Sequence, residues 1–342
     1  MIEVCTAVFL IIIIPLAASR ILMRKYLRRY DMSELSFSLR TEDMQGRYAP
    51  RRVSFRSGEN QLCGYIFGED TDGGLVIFCH GLFGGAAEYF AFAQHFVDIG
   101  LAVFMFDNTG CNESGGKSIK GPLQGLRDLN AAIKYLKASE SALYSRKKAL
   151  VGHSWGGFTV AAFRKTEDID CIISLAGFDR AAPAICDFIV GTYGKWLKVL
   201  LPYCYLFLLM QYGRAFNTSA VKNINSNNRP YLIVQGTNDK IIHYKGSSLY
   251  NHRDKVTNPN VKFILRTDKL HNKHNTIFRD ADATAYMESR YALMREARSV
   301  TDKKLRRDAC RKVFEETDRF AVNRLDPEFA KMLDDMLTEY VK

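Results

Sequence analysis

The sequence predicts an α/β fold, a mostly parallel central sheet with helices on both faces. Three observations lead there. Short apolar runs of strand length alternate with stretches of helical periodicity between Leu75 and Leu265, the rhythm of repeated strand–helix–strand units. Gly152-His153-Ser154-Trp155-Gly156-Gly157 sits between one such run and one such helix. An aspartate and then a pair of histidines follow the later strands.

The chain begins with a run free of charge from Val4 to Ala18, extendable to Met23. A span of about 20 apolar residues is near the length a bilayer needs. The basic residues Arg20, Arg24, Lys25, Arg28 and Arg29 follow the run, and Glu3 is the only early charge. Residues 1–30 therefore read as a membrane anchor with a basic flank. The positive-inside rule places the remainder of the chain in the cytoplasm. A cleaved signal sequence and a short interfacial helix are the alternatives.

Residues 31–342 read as one large domain. Asp31 to Pro50 is polar and gives no clear periodicity. Val53 to Phe67 alternates around a Ser-Gly-Glu-Asn turn and predicts a β-hairpin. Leu75 to Cys79 and Leu101 to Phe106 are continuous apolar runs, as expected of strands buried on both faces. Between them, Ala86 to Ile99 is helical and stops at Gly100. Leu126, Leu129, Ile133 and Leu136 share one face of a helix over 123–139. Ala149 to Val151 leads into the glycine-rich turn, and Phe158 to Phe163 leaves it as a helix. Further strands are predicted at Ile169 to Leu175, Tyr231 to Gln235 and Val261 to Leu265.

The rhythm breaks between Gly177 and Pro230. Trp196 to Tyr212 is almost wholly apolar. A second membrane span there would divide one sheet between two sides of a bilayer, so the stretch reads as a helical cap insertion at about 178–229. Its inner face would be apolar. The C-terminus is helical, and Asp326-Pro327-Glu328 is a helix start. Phe329, Met332, Leu333, Met336, Leu337 and Tyr340 then form the stripe that docks it.

Composition narrows the function classes. The 342 residues are 47% hydrophobic and 25% charged, which excludes a disordered chain. The net charge is +11, but no nucleic-acid-binding motif accompanies it and no nucleic-acid partner is expected. None of the eight cysteines forms a Cys-x-x-Cys pair. They read as small buried hydrophobes, with neither a zinc site nor a disulfide framework.

The chemistry is carried by Ser154. A serine with glycine two residues before and two after, between strand and helix, is a nucleophile elbow. The turn strains the serine backbone and lifts its hydroxyl to the positive end of the following helix. Such a serine needs a base, and the base needs an orienting acid. On this scaffold they follow in the order serine, acid, histidine. Asp239, just beyond the strand ending at Gln235, is the favoured acid, with Asp179 as rival. His274 and His271 follow the last strand, and His274 is the favoured base. An oxyanion needs fixed backbone N–H donors. Trp155 supplies one; the turn His80-Gly81-Leu82-Phe83-Gly84-Gly85 supplies the other, from Leu82 or alternatively Phe83. No metal or organic cofactor is required.

Taken together, His80-Gly81, the stretch Phe106 to Gly115, the elbow, Asp239 and the late histidine resemble the α/β-hydrolase superfamily. The similarity runs from about Arg52 to the C-terminus. It looks like the monoacylglycerol-lipase and serine-aminopeptidase-like branch, whose lids sit where 178–229 falls. The chain departs from that pattern in having Lys273, not glycine, before His274. The resemblance implies an α/β-hydrolase fold and a serine hydrolase; the apolar cap and the N-terminal anchor add the expectation of a membrane-anchored esterase acting on a lipid-like ester of an apolar acyl group. A serine peptidase and a non-catalytic scaffold of the same fold are the alternative functions.

Overall fold

The computed structural model describes residue 6 and residues 9–342. Eight strands form one sheet: β1 (Arg51–Ser57), β2 (Asn60–Phe67), β3 (Leu75–Cys79), β4 (Ala102–Phe106), β5 (Lys148–His153), β6 (Cys171–Leu175), β7 (Tyr231–Gly236) and β8 (Val261–Arg266). Their spatial order is β1-β2-β4-β3-β5-β6-β7-β8. The opening hairpin pairs antiparallel and β2 lies antiparallel to β4; every pairing from β4 to β8 is parallel.

The parallel strands are apolar along their whole length because each face meets a layer of helices. Alternate residues point to opposite faces. In β3, Leu75, Ile77 and Cys79 join one hydrophobic core, whereas Val76 and Phe78 join the other. The helices that cover the sheet include α2 (Phe90–Asp98), α3 (Pro122–Ser139) and α4 (Trp155–Ala162), preceded in the chain by α1 (Ile14–Tyr26). Helix α4 is buried throughout, as a helix that starts beneath the centre of the sheet edge must be.

Between β6 and β7 the chain leaves the sheet as α5 (Ala181–Tyr193), a 3-10 turn (Lys195–Leu200) and α6 (Leu201–Tyr212). Leu197, Cys204, Leu208 and Tyr212 point inward, while Trp196, Val199, Leu209 and Met210 are exposed. Helix α1 packs on α6, and the Tyr203 hydroxyl donates to the Ile11 carbonyl. Phe9 to Ile14 and Ile21 are exposed, whereas Met23 and Leu27 are buried. Among the described residues no helix is long and apolar enough to cross a membrane. Part of the apolar run read as an anchor, residues 1–5, 7 and 8, lies outside the described residues.

The C-terminal helices α7 (Ala281–Ser299), α8 (Lys303–Glu315) and α9 (Pro327–Tyr340) divide their work. Phe329, Leu333 and Leu337 of α9 enter the core on one face of the sheet. Met294, Cys310 and Val322 enclose Phe37 in a small separate core. This holds down the stretch before the hairpin, and Arg319 Nε donates to Asp43 Oδ2 at 2.9 Å on the same side. The seven described cysteines are buried and unpaired.

Candidate active site

Strand β5 delivers Ser154 into the turn before α4. The serine backbone has φ 57° and ψ −113°, a region that L-residues adopt only when the surroundings impose it. Two glycines make the turn feasible. A Cβ on Gly156 would lie 1.9 Å from the Cys79 carbonyl oxygen, and one on Gly152 would lie 2.3 Å from the Gly156 oxygen. Only bare backbones allow β3, β5 and α4 to meet this closely. The Ser154 N–H donates to Leu175 O at 2.7 Å, which fixes the bend to β6.

Asp239 follows β7, as its position after an apolar strand implied. Its side chain is fully buried. Oδ1 accepts the N–H groups of Ile241 and Ile242, each at 2.8 Å. Oδ2 accepts Gln235 Nε2 at 3.0 Å and His274 Nδ1 at 2.7 Å. Four donors thus hold the carboxylate as an acceptor for the imidazole, leaving His274 Nε2 for other work. Ser154 and His274 line one cavity of about 490 Å³. No hydrogen bond joins Ser154 Oγ to the imidazole here; ligand-free sites commonly close that gap when substrate arrives.

The rival residues have other partners. Asp179 Oδ1 accepts Ser219 Oγ at 2.6 Å and Val221 N at 2.9 Å, tying both ends of the cap together. His271 Nδ1 lies 2.7 Å from Asp268 Oδ1, and its ring is absent from the cavity wall.

Leu82 and Phe83 both line the cavity, at the turn after β3. Phe83 has φ 56°, a strained backbone conformation for a residue with a side chain. Trp155 opens α4, where an N–H has no acceptor one turn back. Its indole Nε1 donates to Pro122 O at 2.6 Å and anchors the helix start.

A relay connects the two sides of this site. The Gly81 N–H donates to Tyr89 Oη at 3.2 Å. Tyr89 Oη lies 2.8 Å from His153 Nδ1, and His153 Nε2 lies 3.1 Å from the His274 carbonyl. A carbonyl only accepts, so His153 carries its proton on Nε2 and Nδ1 accepts from the tyrosine. Burial, and then the neighbouring His274, push the His153 pKa well below its ordinary value. The ring is neutral and serves as a spacer between the glycine-rich turn and the backbone of His274. Sequence reasoning placed His153 only within the elbow and missed Tyr89; residues 64 apart in the chain give no local signal. His80 is likewise neutral, its pKa lowered to about 4 by burial. It accepts the Asn108 N–H at 2.9 Å and so joins the turn after β3 to the turn after β4.

The cavity has two kinds of wall. Met23 and Leu27, with Ile185, Phe188 and Ile189 of the cap, make an apolar side. Tyr30, Glu88, Arg279, Thr284 and Asn323 contribute a polar one. Glu88 accepts Tyr30 Oη at 2.9 Å and Gly85 N at 2.7 Å. Burial raises its pKa to about 7.

Comparisons with known proteins agree with this architecture. A family model described as serine aminopeptidase, S33, matches residues 71–213, from just before β3 through the elbow to the end of α6 in the cap. Among solved structures, an α/β-hydrolase from Vibrio vulnificus superposes with a TM-score of 0.57 at 16% identity, over 80% of this chain and 92% of that one. An esterase of Pyrococcus furiosus superposes with a TM-score of 0.54 at 19% identity, over 73% and 89%. No curated protein matches the sequence. Sheet order, elbow and superposition converge on the α/β-hydrolase fold, and the segment 71–213 is similar to the serine aminopeptidase, S33, family.

Proposed function

We propose that the protein is a serine hydrolase that cleaves an ester of an apolar acyl group through Ser154, His274 and Asp239. The observation that carries the proposal is one cavity, apolar on its cap side, that contains both the strained Ser154 and an imidazole held by a four-fold bonded Asp239. Ser154 Oγ attacks the carbonyl carbon as His274 Nε2 takes its proton. Leu82 and Trp155 N–H groups hold the oxyanion. The intermediate collapses, the bond to the alcohol oxygen breaks, and His274 returns the proton to that oxygen. Water then repeats the sequence on the acyl-enzyme. Asp239 stabilises the imidazolium and fixes its tautomer.

The exposed apolar residues 9–14, followed by Arg20, Arg24 and Lys25, support a seat on a membrane, with the catalytic domain on the cytoplasmic side. The S33 family match favours a second reading, a serine peptidase of the same fold. Two assays separate the readings. Labelling by a fluorophosphonate probe that disappears in Ser154→Ala, with turnover falling by about 10,000-fold or more, is expected of a serine hydrolase. Folded protein that resists the probe would instead be a scaffold. p-Nitrophenyl esters of rising chain length, run beside aminoacyl-p-nitroanilides, then decide between ester and amide.

A further inference from the structure

Arg279 is the unexplained residue of the cavity. It lies five positions beyond His274 on the same segment and lines the same space as Ser154. Arg279 is only partly exposed, and burial lowers its pKa from the ordinary value. Its side chain makes one hydrogen bond, from Nη1 to the Met287 thioether at 3.1 Å, and sulfur is a weak acceptor. No carboxylate among the described residues pairs with it. Arg266, which is more deeply buried, has a counterion and holds Asp326 Oδ2 at 2.6 Å. A half-dried cation without a counterion is costly to keep in a fold. Such a group is retained where a ligand completes it.

The surroundings fit an anion. Thr284 Oγ1 lines the cavity, is buried and has no hydrogen-bond partner. Lys273 adds a second cation at the rim. Two acids share the cavity and need weighing. Glu88 is already occupied by Tyr30 and Gly85. Glu288 is exposed on α7 and forms no ion pair with Arg279. The departing alcohol must face His274 to receive its proton, and Arg279 follows His274 on the same segment and lines the same cavity.

We propose that Arg279, with the Thr284 hydroxyl, forms an oxyanion subsite on the leaving-group side, so that the preferred substrates are acyl esters whose alcohol carries a carboxylate or a phosphate. The inference rests on the serine-hydrolase reading, and its test is chosen to be independent of turnover. Binding to full-length Ser154→Ala is measured by calorimetry for three octanoyl esters: of glycerol, of glycerol 3-phosphate and of glyceric acid. At least one anionic ester should bind about 10-fold or more tightly than the neutral one, as a charge-assisted pair in a sheltered site provides. Which anionic ester binds more tightly assigns the headgroup. Adding Arg279→Gln should reduce the anionic-to-neutral ratio to near one, and Arg279→Lys should keep part of it. Equal affinities in the Ser154→Ala protein would overturn the subsite, as would a ratio that Arg279→Gln leaves intact. Should the glutamine variant not fold, glycerol 3-phosphate and glycerate serve as competitors. Displacement of the anionic ester by either supports the subsite, and failure of both to displace it overturns it. Fluorophosphonate labelling of the unsubstituted protein reports separately on whether Ser154 is a nucleophile.

Discussion

Two histidines three residues apart in the chain each pair with an aspartate, and the two contacts look alike. His274 Nδ1 to Asp239 Oδ2 is 2.7 Å, and His271 Nδ1 to Asp268 Oδ1 is also 2.7 Å. Their settings differ. Asp239 has no exposed side-chain surface and two backbone N–H groups on its second oxygen. Asp268 is 49% exposed and reaches its histidine across a local turn. The His274 ring borders the cavity, whereas the His271 ring lies nearer Asp326, its Nε2 3.9 Å from Oδ1. A short contact is therefore poor proof of a catalytic dyad. What separates the pairs is a dry acid that cannot turn away, and an imidazole edge left open to substrate.

The comparison can be broken by substitution. His274→Ala should lower turnover by about 10,000-fold, while His271→Ala should change it by less than about 3-fold, the contrast expected between a general base and a bystander. Initial rates with a p-nitrophenyl ester check this; equal losses would erase the distinction. Asp239→Asn keeps the shape but offers the ring an amide, so about a 1,000-fold or larger loss is expected. Asp268→Asn should leave turnover nearly unchanged.

The smallest effect sharpens the structural half of the contrast. Asp268 is held below its ordinary pKa of 3.8; burial opposes this, but hydrogen bonds from the His271 ring and N–H prevail. A depressed carboxyl stabilises the fold above its unfolded pKa and loses that contribution as pH falls through the folded one. Asp268→Asn should therefore lower Tm by about one or two degrees near pH 6, a gap that closes as pH falls below the ordinary carboxyl value of 3.8 and through the depressed one. Thermal melts across that range would show it. A gap that widens toward acid would reverse the sign.

Much of the sheet was legible because each strand is a self-contained apolar run. The expected limits of the third strand, Leu75 and Cys79, coincide with β3. The turn conformation of Ser154 followed from its glycines, and chain order narrowed the partners to Asp239 or Asp179 and to His274 or His271. Contacts between distant stretches were not legible. Residues 31–50 gave no pattern because Phe37 and Asp43 find their partners among Met294, Val322 and Arg319. The Gly81–Tyr89–His153–His274 relay is hidden for the same reason, as no local periodicity encodes it. Arg279 was passed over because a charged residue between a histidine loop and a helix looks like ordinary surface. Only its packing shows that it lacks a counterion.

The first helix carries a consequence for any shortened form of this protein. Met23 and Leu27 belong to the cavity wall, the Ile119 N–H bonds to the Leu27 carbonyl at 2.9 Å, and Arg29 Nη1 grips the Ser114 carbonyl at 2.7 Å. Cutting the chain ahead of Asp31 to gain solubility would breach the cavity that holds Ser154 along one flank. A truncated enzyme would then display a chain-length preference that belongs to the deletion. Tethering and substrate choice would be written in the same two dozen residues, so neither can be engineered without disturbing the other.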